Sequence, residues 1–206
     1  MNITNANKWY ENQLMVGYED AYAATHLFLD TIDSGSVFVE IGSDRFVGST
    51  QYYANLAQKY NTVLFSVDIT TNARERIEHS HIVWQTEVGS NWAKNIYPTI
   101  DKKISVLFLD NQDYIWNADT LEKQNSNTDC QTEHFTQLFY LYSWLTDDCI
   151  VVLDDTYRYN GCWVGKGGAC VIFLLSMGFK IVWEADLEKN SLRGYNTAGV
   201  IMKRKY

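Results

Sequence analysis

Five short apolar runs recur along the chain with helix-length gaps between them: residues 36–41, 62–69, 81–88, 104–109 and 149–153. A strand buried on one face alternates apolar and polar residues, whereas these runs are nearly continuous, as strands covered on both faces are. The gaps are long enough for crossover helices, so the pattern predicts a doubly wound α/β sheet of parallel strands. Two further strand-like runs, 180–184 and 199–203, flank the polar stretch 185–197 and predict a C-terminal antiparallel hairpin. The sheet is therefore expected to be seven-stranded and mostly parallel. Helices are expected over 9–31, 49–60, 133–145 and 168–177, the last ending at Gly178. The stretch 113–131, with Asn117, Asn125, Ser126 and Asn127, is expected to be a long loop.

At 206 residues and roughly 150 per domain, one domain is expected, with residues 1–33 as an N-terminal helical segment and 34–206 as the sheet core. Acidic residues outnumber basic ones by 25 to 17, a formal charge of −8. A nucleic-acid partner normally requires a basic face, and the only basic cluster is Lys203-Arg204-Lys205, so none is expected. The longest largely apolar run, 170–179, falls short of the roughly 20 residues that span a bilayer, and no membrane association is expected. The polar N-terminus carries no secretory pattern, and the four cysteines form no CxxC pair. Reduced thiols in a cytoplasmic protein follow as the expectation. The assembly is left open between a monomer and a homodimer.

The most informative segment runs from Val39 to Thr50, a strand leading through Gly42 and Gly48 into a helix. Gly42 permits a turn and a close approach that a Cβ would hinder. Ser49 or Thr50 can cap the helix. The next strand ends in Asp68, placed where an acid accepts hydrogen bonds from a ribose diol. There is no GxGxxG, and Glu40 precedes Gly42 by two residues. A carboxylate there suits a cationic or amino-bearing ligand better than a pyrophosphate.

In these residues the chain resembles the class I S-adenosylmethionine-dependent methyltransferases, with a Rossmann-like core. Glu40-Ile41-Gly42 followed by Gly48-Ser49-Thr50 is similar to their first motif, although five residues separate the glycines where close relatives have three. The resemblance implies S-adenosylmethionine as cofactor. It places Glu40, Gly42, Ser43, Gly48, Ser49, Asp68, Ile69, Gly89, Ser90 and Asp110 around it, with Ser90 at the adenine and Trp92 over its face.

The next two strands end in Asp110 and in Asp154-Asp155. Adjacent strands lie ~5 Å apart, so three carboxylates should meet, and they repel unless protonated or bridged by a cation. The arrangement resembles the metal-dependent small-molecule O-methyltransferases of the catechol, caffeoyl-CoA and macrolide-sugar types. That resemblance implies that Asp110, Asp154 and Asp155 hold Mg2+, which would aim a hydroxyl of a small-molecule acceptor at the methyl group. Where catechol-type enzymes carry a lysine base, this chain has Asp113. His134 and Lys166 join Asp110 as catalytic candidates. Two other functions compatible with the residues are a methyltransferase-like scaffold without catalysis and a nucleotide-dependent oxidoreductase.

Overall fold

The computed structural model describes residues 15–17, 20–43, 48–187 and 198–204. Its centre is an eight-stranded sheet built from β1 (Met15–Gly17), β2 (Val37–Ile41), β3 (Leu64–Asp68), β4 (Ile82–Thr86), β5 (Ile104–Leu109), β6 (Leu145–Asp154), β9 (Lys180–Ala185) and β10 (Gly199–Lys203). The order across the sheet is β1-β9-β10-β6-β5-β2-β3-β4. Every pairing is parallel except those of β10, which runs antiparallel to both β6 and β9. The seven expected strands and the terminal hairpin are present, and β1 adds an eighth at the edge.

The continuous apolar runs have the physical cause read from them. All five residues of β2 and all six of β5 are buried. Val37, Val39 and Ile41 face one core, and Phe38 faces the other. The first core packs under α5 (Leu121–Leu141) and α6 (Gly168–Ser176), the second under α1 (Ala21–Ala24) and α2 (Ser49–Lys59).

Two expectations are corrected, and one element is added. The segment 9–31 is not one long helix. Its described part forms β1, the short α1 and a 3-10 turn, Thr25–Leu27, because the chain first adds a strand beside β9. Helix α5 begins at Leu121, capped by the Thr120 side chain, and takes up more than half of the expected loop. One of the polar residues that argued against it, Asn127, has a tertiary partner. Buried Asn127 accepts from the Ile115 N–H at 2.8 Å and donates to the Ile115 carbonyl at 2.9 Å, so long-range bonds override weak local propensity. Finally, β7 (Thr156–Tyr159) and β8 (Cys162–Gly165) form a separate two-stranded hairpin. Its turn, Asn160-Gly161, has φ of 48° and 79°, a left-handed pair typical of tight hairpins.

The chain leaves β2 for β3 and β4 on one side, then returns to β5 and β6 on the other. The carboxyl ends of β2 and β5 therefore flank a topological switch point, where open α/β sheets bind ligands. Among the described residues, no helix is long and apolar enough to cross a membrane.

Candidate ligand cleft and its carboxylate–lysine cluster

A cleft of about 860 Å³ opens at this switch point. Ile41, Gly42, Ser43, Asp68, Ile69, Gly89, Asp110, Asp154, Asp155 and Lys166 all line it, so most of the residues singled out in the sequence are brought to one place. Glu40, Gly48, Ser49, Ser90 and His134 do not line it. Residues 44–47 of the glycine loop lie outside the described residues.

At the β2 end, Gly42 is required by close approach. Its φ is +95°, and an added Cβ would lie 2.4 Å from the Asp110 carbonyl carbon and the Asn111 nitrogen. The crowding comes from the backbone after β5, which brings the ends of β2 and β5 together beneath the cleft. Asp68, at the end of β3, accepts from the Ser43 N–H at 3.0 Å through Oδ2, and from the Thr70 N–H and hydroxyl through Oδ1. The carboxylate thus fixes the turn after β2 and keeps acceptor capacity on Oδ2. Asn111 Oδ1 is buried on the cleft lining with no hydrogen-bond partner among the described residues.

Glu40 behaves differently from the expectation of a carboxylate facing a cationic ligand. It is fully buried, and it accepts from Ser49 Oγ at 3.0 Å and from Thr50 Oγ1 and Ser66 Oγ at 2.7 Å. Burial pushes its carboxyl up from 4.5 to about 8, against the opposing effect of the three hydroxyls. Ser49 and Thr50 are accordingly not helix caps. They tie the start of α2 to β2 through Glu40, and Gly48, at φ 97°, takes the N-cap position. At the end of β4, the Ser90 backbone N–H donates to Glu133 Oε1 at 2.8 Å. Trp92 is wholly buried in the core against Phe65 and Tyr97, so it cannot cover a ligand ring.

At the β5–β6 end, Asp110, Asp154 and Asp155 do converge, but around an ammonium. Lys166 Nζ lies 2.7 Å from Asp110 Oδ1, 3.1 Å from Asp155 Oδ2 and 3.5 Å from Asp154 Oδ2. The lysine side chain is 3% exposed, the three aspartates 21–25%. Burial pulls the lysine pKa down, yet the charges of Asp110, Asp154 and Asp155 outweigh it and hold the group above the ordinary lysine range. Burial and the neighbouring carboxylates raise Asp154 well above the usual range, with Lys166 opposing.

The segment Gly165-Lys166-Gly167-Gly168 is shaped to deliver this ammonium. The β7–β8 hairpin turns the chain back onto the end of β6. The Lys166 N–H donates to the Asp155 carbonyl at 3.0 Å, and the Gly167 N–H donates to Thr156 Oγ1 at 2.9 Å. A Cβ on Gly165 would lie 1.8 Å from the Asp155 oxygen, and one on Gly167 2.7 Å from Thr156 Oγ1. Asp155 itself has φ 45°, an unusual conformation for a non-glycine residue and one that concentrates at functional sites.

The donor set therefore does not fit the expected Mg2+. A divalent ion needs oxygen ligands at about 2.0–2.6 Å, and the point shared by these oxygens is filled by Nζ. Among the described residues, no group of three or more His, Cys, Asp or Glu is arranged to hold a metal ion. His134 is also corrected as a catalytic candidate. It is fully buried on α5, its Nδ1 lies 2.9 Å from the Cys130 carbonyl, and burial lowers its pKa to about 4.

No family model matches the sequence, and no curated protein matches it. Solved structures do share its fold. A Streptococcus mutans protein described as a methyltransferase, in complex with SAH, is 14% identical, with 91% of this chain and 99% of that one covered at a TM-score of 0.57. An rRNA methylase from Streptococcus thermophilus is 9% identical, covering 91% and 98% at 0.56. The calicheamicin methyltransferase CalS11 is 14% identical, covering 87% and 77% at 0.52. The chain has the fold of these methyltransferase-type proteins, and at such identities the likeness is one of fold.

Proposed function

We propose that the protein is an S-adenosylmethionine-dependent methyltransferase whose acceptor is a hydroxyl group of a small molecule. The observation that carries this reading is Asp68. It is a strand-end carboxylate fixed by the Ser43 N–H at the Gly42 turn, on the lining of a cleft at the switch point. An acid in that position accepts from the hydroxyls of a ribose. The unpartnered Asn111 Oδ1 offers a second acceptor to the cofactor's donor groups. The cleft volume lies within the range that encloses a small-molecule ligand.

S-adenosylmethionine supplies an electrophilic methyl group on its sulfonium. The chain's own part is positioning. The β2–β4 ends hold the cofactor, and Asp110, Asp154 and Asp155 keep carboxylate oxygens beyond those on Lys166 to accept an acceptor hydroxyl's proton. Alignment of the reacting atoms is the main source of acceleration in such a site. Tyr114, Trp116 and Tyr157 flank the cluster in sequence. Trp116 and Tyr157 stack at 4.8 Å between centroids and 21° between planes, a flat apolar surface beside Asp155 suited to the body of the acceptor.

Charge favours a small neutral or cationic acceptor over an RNA. Among the described residues lining the cleft eight are acidic and one, Lys166, is basic, and it is already shared among three of the acids. The test is calorimetric titration with S-adenosylmethionine, followed by incubation with pooled hydroxylated metabolites and detection of methylated product by mass. Saturable one-to-one binding and a methylated hydroxyl are expected. Absence of cofactor binding to the folded protein would leave the chain as a scaffold of this fold without the activity.

A further inference from the structure

We propose that Lys166 is a built-in cation. Its ammonium occupies the point where Asp110, Asp154 and Asp155 would bind a divalent ion, so the native site takes no metal, and removing the ammonium creates a metal site.

Three sets of observations carry this. The first is stoichiometry. A lysine ammonium has three donors and no acceptor, and one oxygen from each of three carboxylates faces it at 2.7–3.5 Å. The second is enclosure. At 3% side-chain exposure the ammonium is the least solvated member of its own cluster, so its charge is committed to these three partners. The third is the scaffold. Gly165 and Gly167 stand where a Cβ would strike Asp155 and Thr156, and Gln131 Nε2 donates to the Gly165 carbonyl at 2.9 Å from α5. A solvated loop lysine needs none of these close contacts.

A divalent ion and the ammonium cannot share the position. The ion would need the same oxygens at shorter distances, and like charges would repel. If the lysine is replaced by an uncharged side chain, three carboxylates are left facing one point at 2.7–3.5 Å without a counter-charge, and their mutual repulsion is relieved when they close in on a divalent ion at about 2.0–2.6 Å.

The test uses the full chain, stripped of metal with a chelator that is then removed, and reads Mn2+ binding directly. This keeps it separate from the methyl-transfer reading, which concerns turnover and cofactor. Wild type, Lys166→Met and Lys166→Gln are titrated with Mn2+, and free Mn2+ is followed by electron paramagnetic resonance. Both variants are expected to bind one Mn2+ with a dissociation constant on the order of 10⁻⁴ M, and wild type to show no saturable binding at about ten times that concentration. Adding Asp155→Asn to either variant should weaken the new site. Lys166→Gln keeps amide donors for the carboxylates and guards against a Lys166→Met chain that does not fold. Wild-type Mn2+ binding that matches the variants and disappears in Asp155→Asn would overturn the proposal. So would folded variants that bind no Mn2+.

Discussion

The carboxyl edge of the sheet satisfies its acids in two different ways. At the β2–β3 end, Glu40 and Asp68 are served by hydroxyls and backbone N–H groups from residues near in sequence or on the adjoining strand. At the β5–β6 end, Asp110, Asp154 and Asp155 share one ammonium delivered by a hairpin and a glycine segment. Neutral donors only partly offset burial, which pushes the Glu40 carboxyl up against the opposing effect of its three hydroxyls. A cation instead holds carboxylates together at the cost of recruiting and desolvating a distant side chain. The first end is thereby suited to hydrogen-bonding a polyhydroxylated ligand, the second to holding fixed charge beside a reacting group.

The largest expected effect is at the cation. Lys166→Met leaves three clustered carboxylates without their counter-charge and should destabilise the fold by about 4 kcal/mol, measured by urea unfolding at neutral pH. A loss near zero would mean that the ammonium is not the cluster's neutralising group. Next is the segment that delivers it. Gly165→Ala combines φ of +87° with a 1.8 Å clash against Asp155 and should cost about 3 kcal/mol. Gly161→Ala, at φ +79° in the open hairpin turn, should cost only about 1 kcal/mol. Equal losses at the two glycines would remove the argument from close packing.

The other end is distinguished by its pH response. The folded-state pKa of Glu40 is raised from 4.5 to about 8, so between those values the native state holds a proton that the unfolded chain has lost. Its contribution is fully present below the unfolded pKa and is lost as pH rises through the folded one. From about pH 5 to about pH 7, wild type should lose about 2.5 kcal/mol relative to Glu40→Gln, read as the difference between their unfolding free energies at each pH. Parallel profiles would show that Glu40 is ionised in the fold. The last effect is on binding rather than on stability. Asp68→Ala should weaken S-adenosylmethionine binding by about 2 kcal/mol, through loss of hydrogen bonds to a charged acceptor.

Much of this architecture was legible because burial leaves a mark on composition. Strands covered on both faces read as unbroken apolar runs, and Phe38, Val39 and Ile41 are buried as that reading requires. Strand ends were equally readable, which is why Gly42, Asp68, Asp110, Asp154 and Asp155 reach one cleft. What escaped depends on long-range partners. Asn127 looks like a loop residue until Ile115 is found beside it. Lys166 lies 56 residues from Asp110, and no local pattern announces that pairing. The Asn160-Gly161 turn was the available signal. It marks a hairpin that folds the glycine segment back onto β6, and with it the lysine onto the acids.

The contrast between the two ends is tested most directly by titrating S-adenosylmethionine into Asp68→Ala and Asp155→Asn side by side with wild type. The account predicts that Asp68→Ala lowers affinity by about tenfold or more while Asp155→Asn stays within about twofold of wild type, because ligand contacts and fixed charge belong to opposite ends of the cleft. Unchanged affinity in folded Asp68→Ala, or an equal loss in Asp155→Asn, would contradict it.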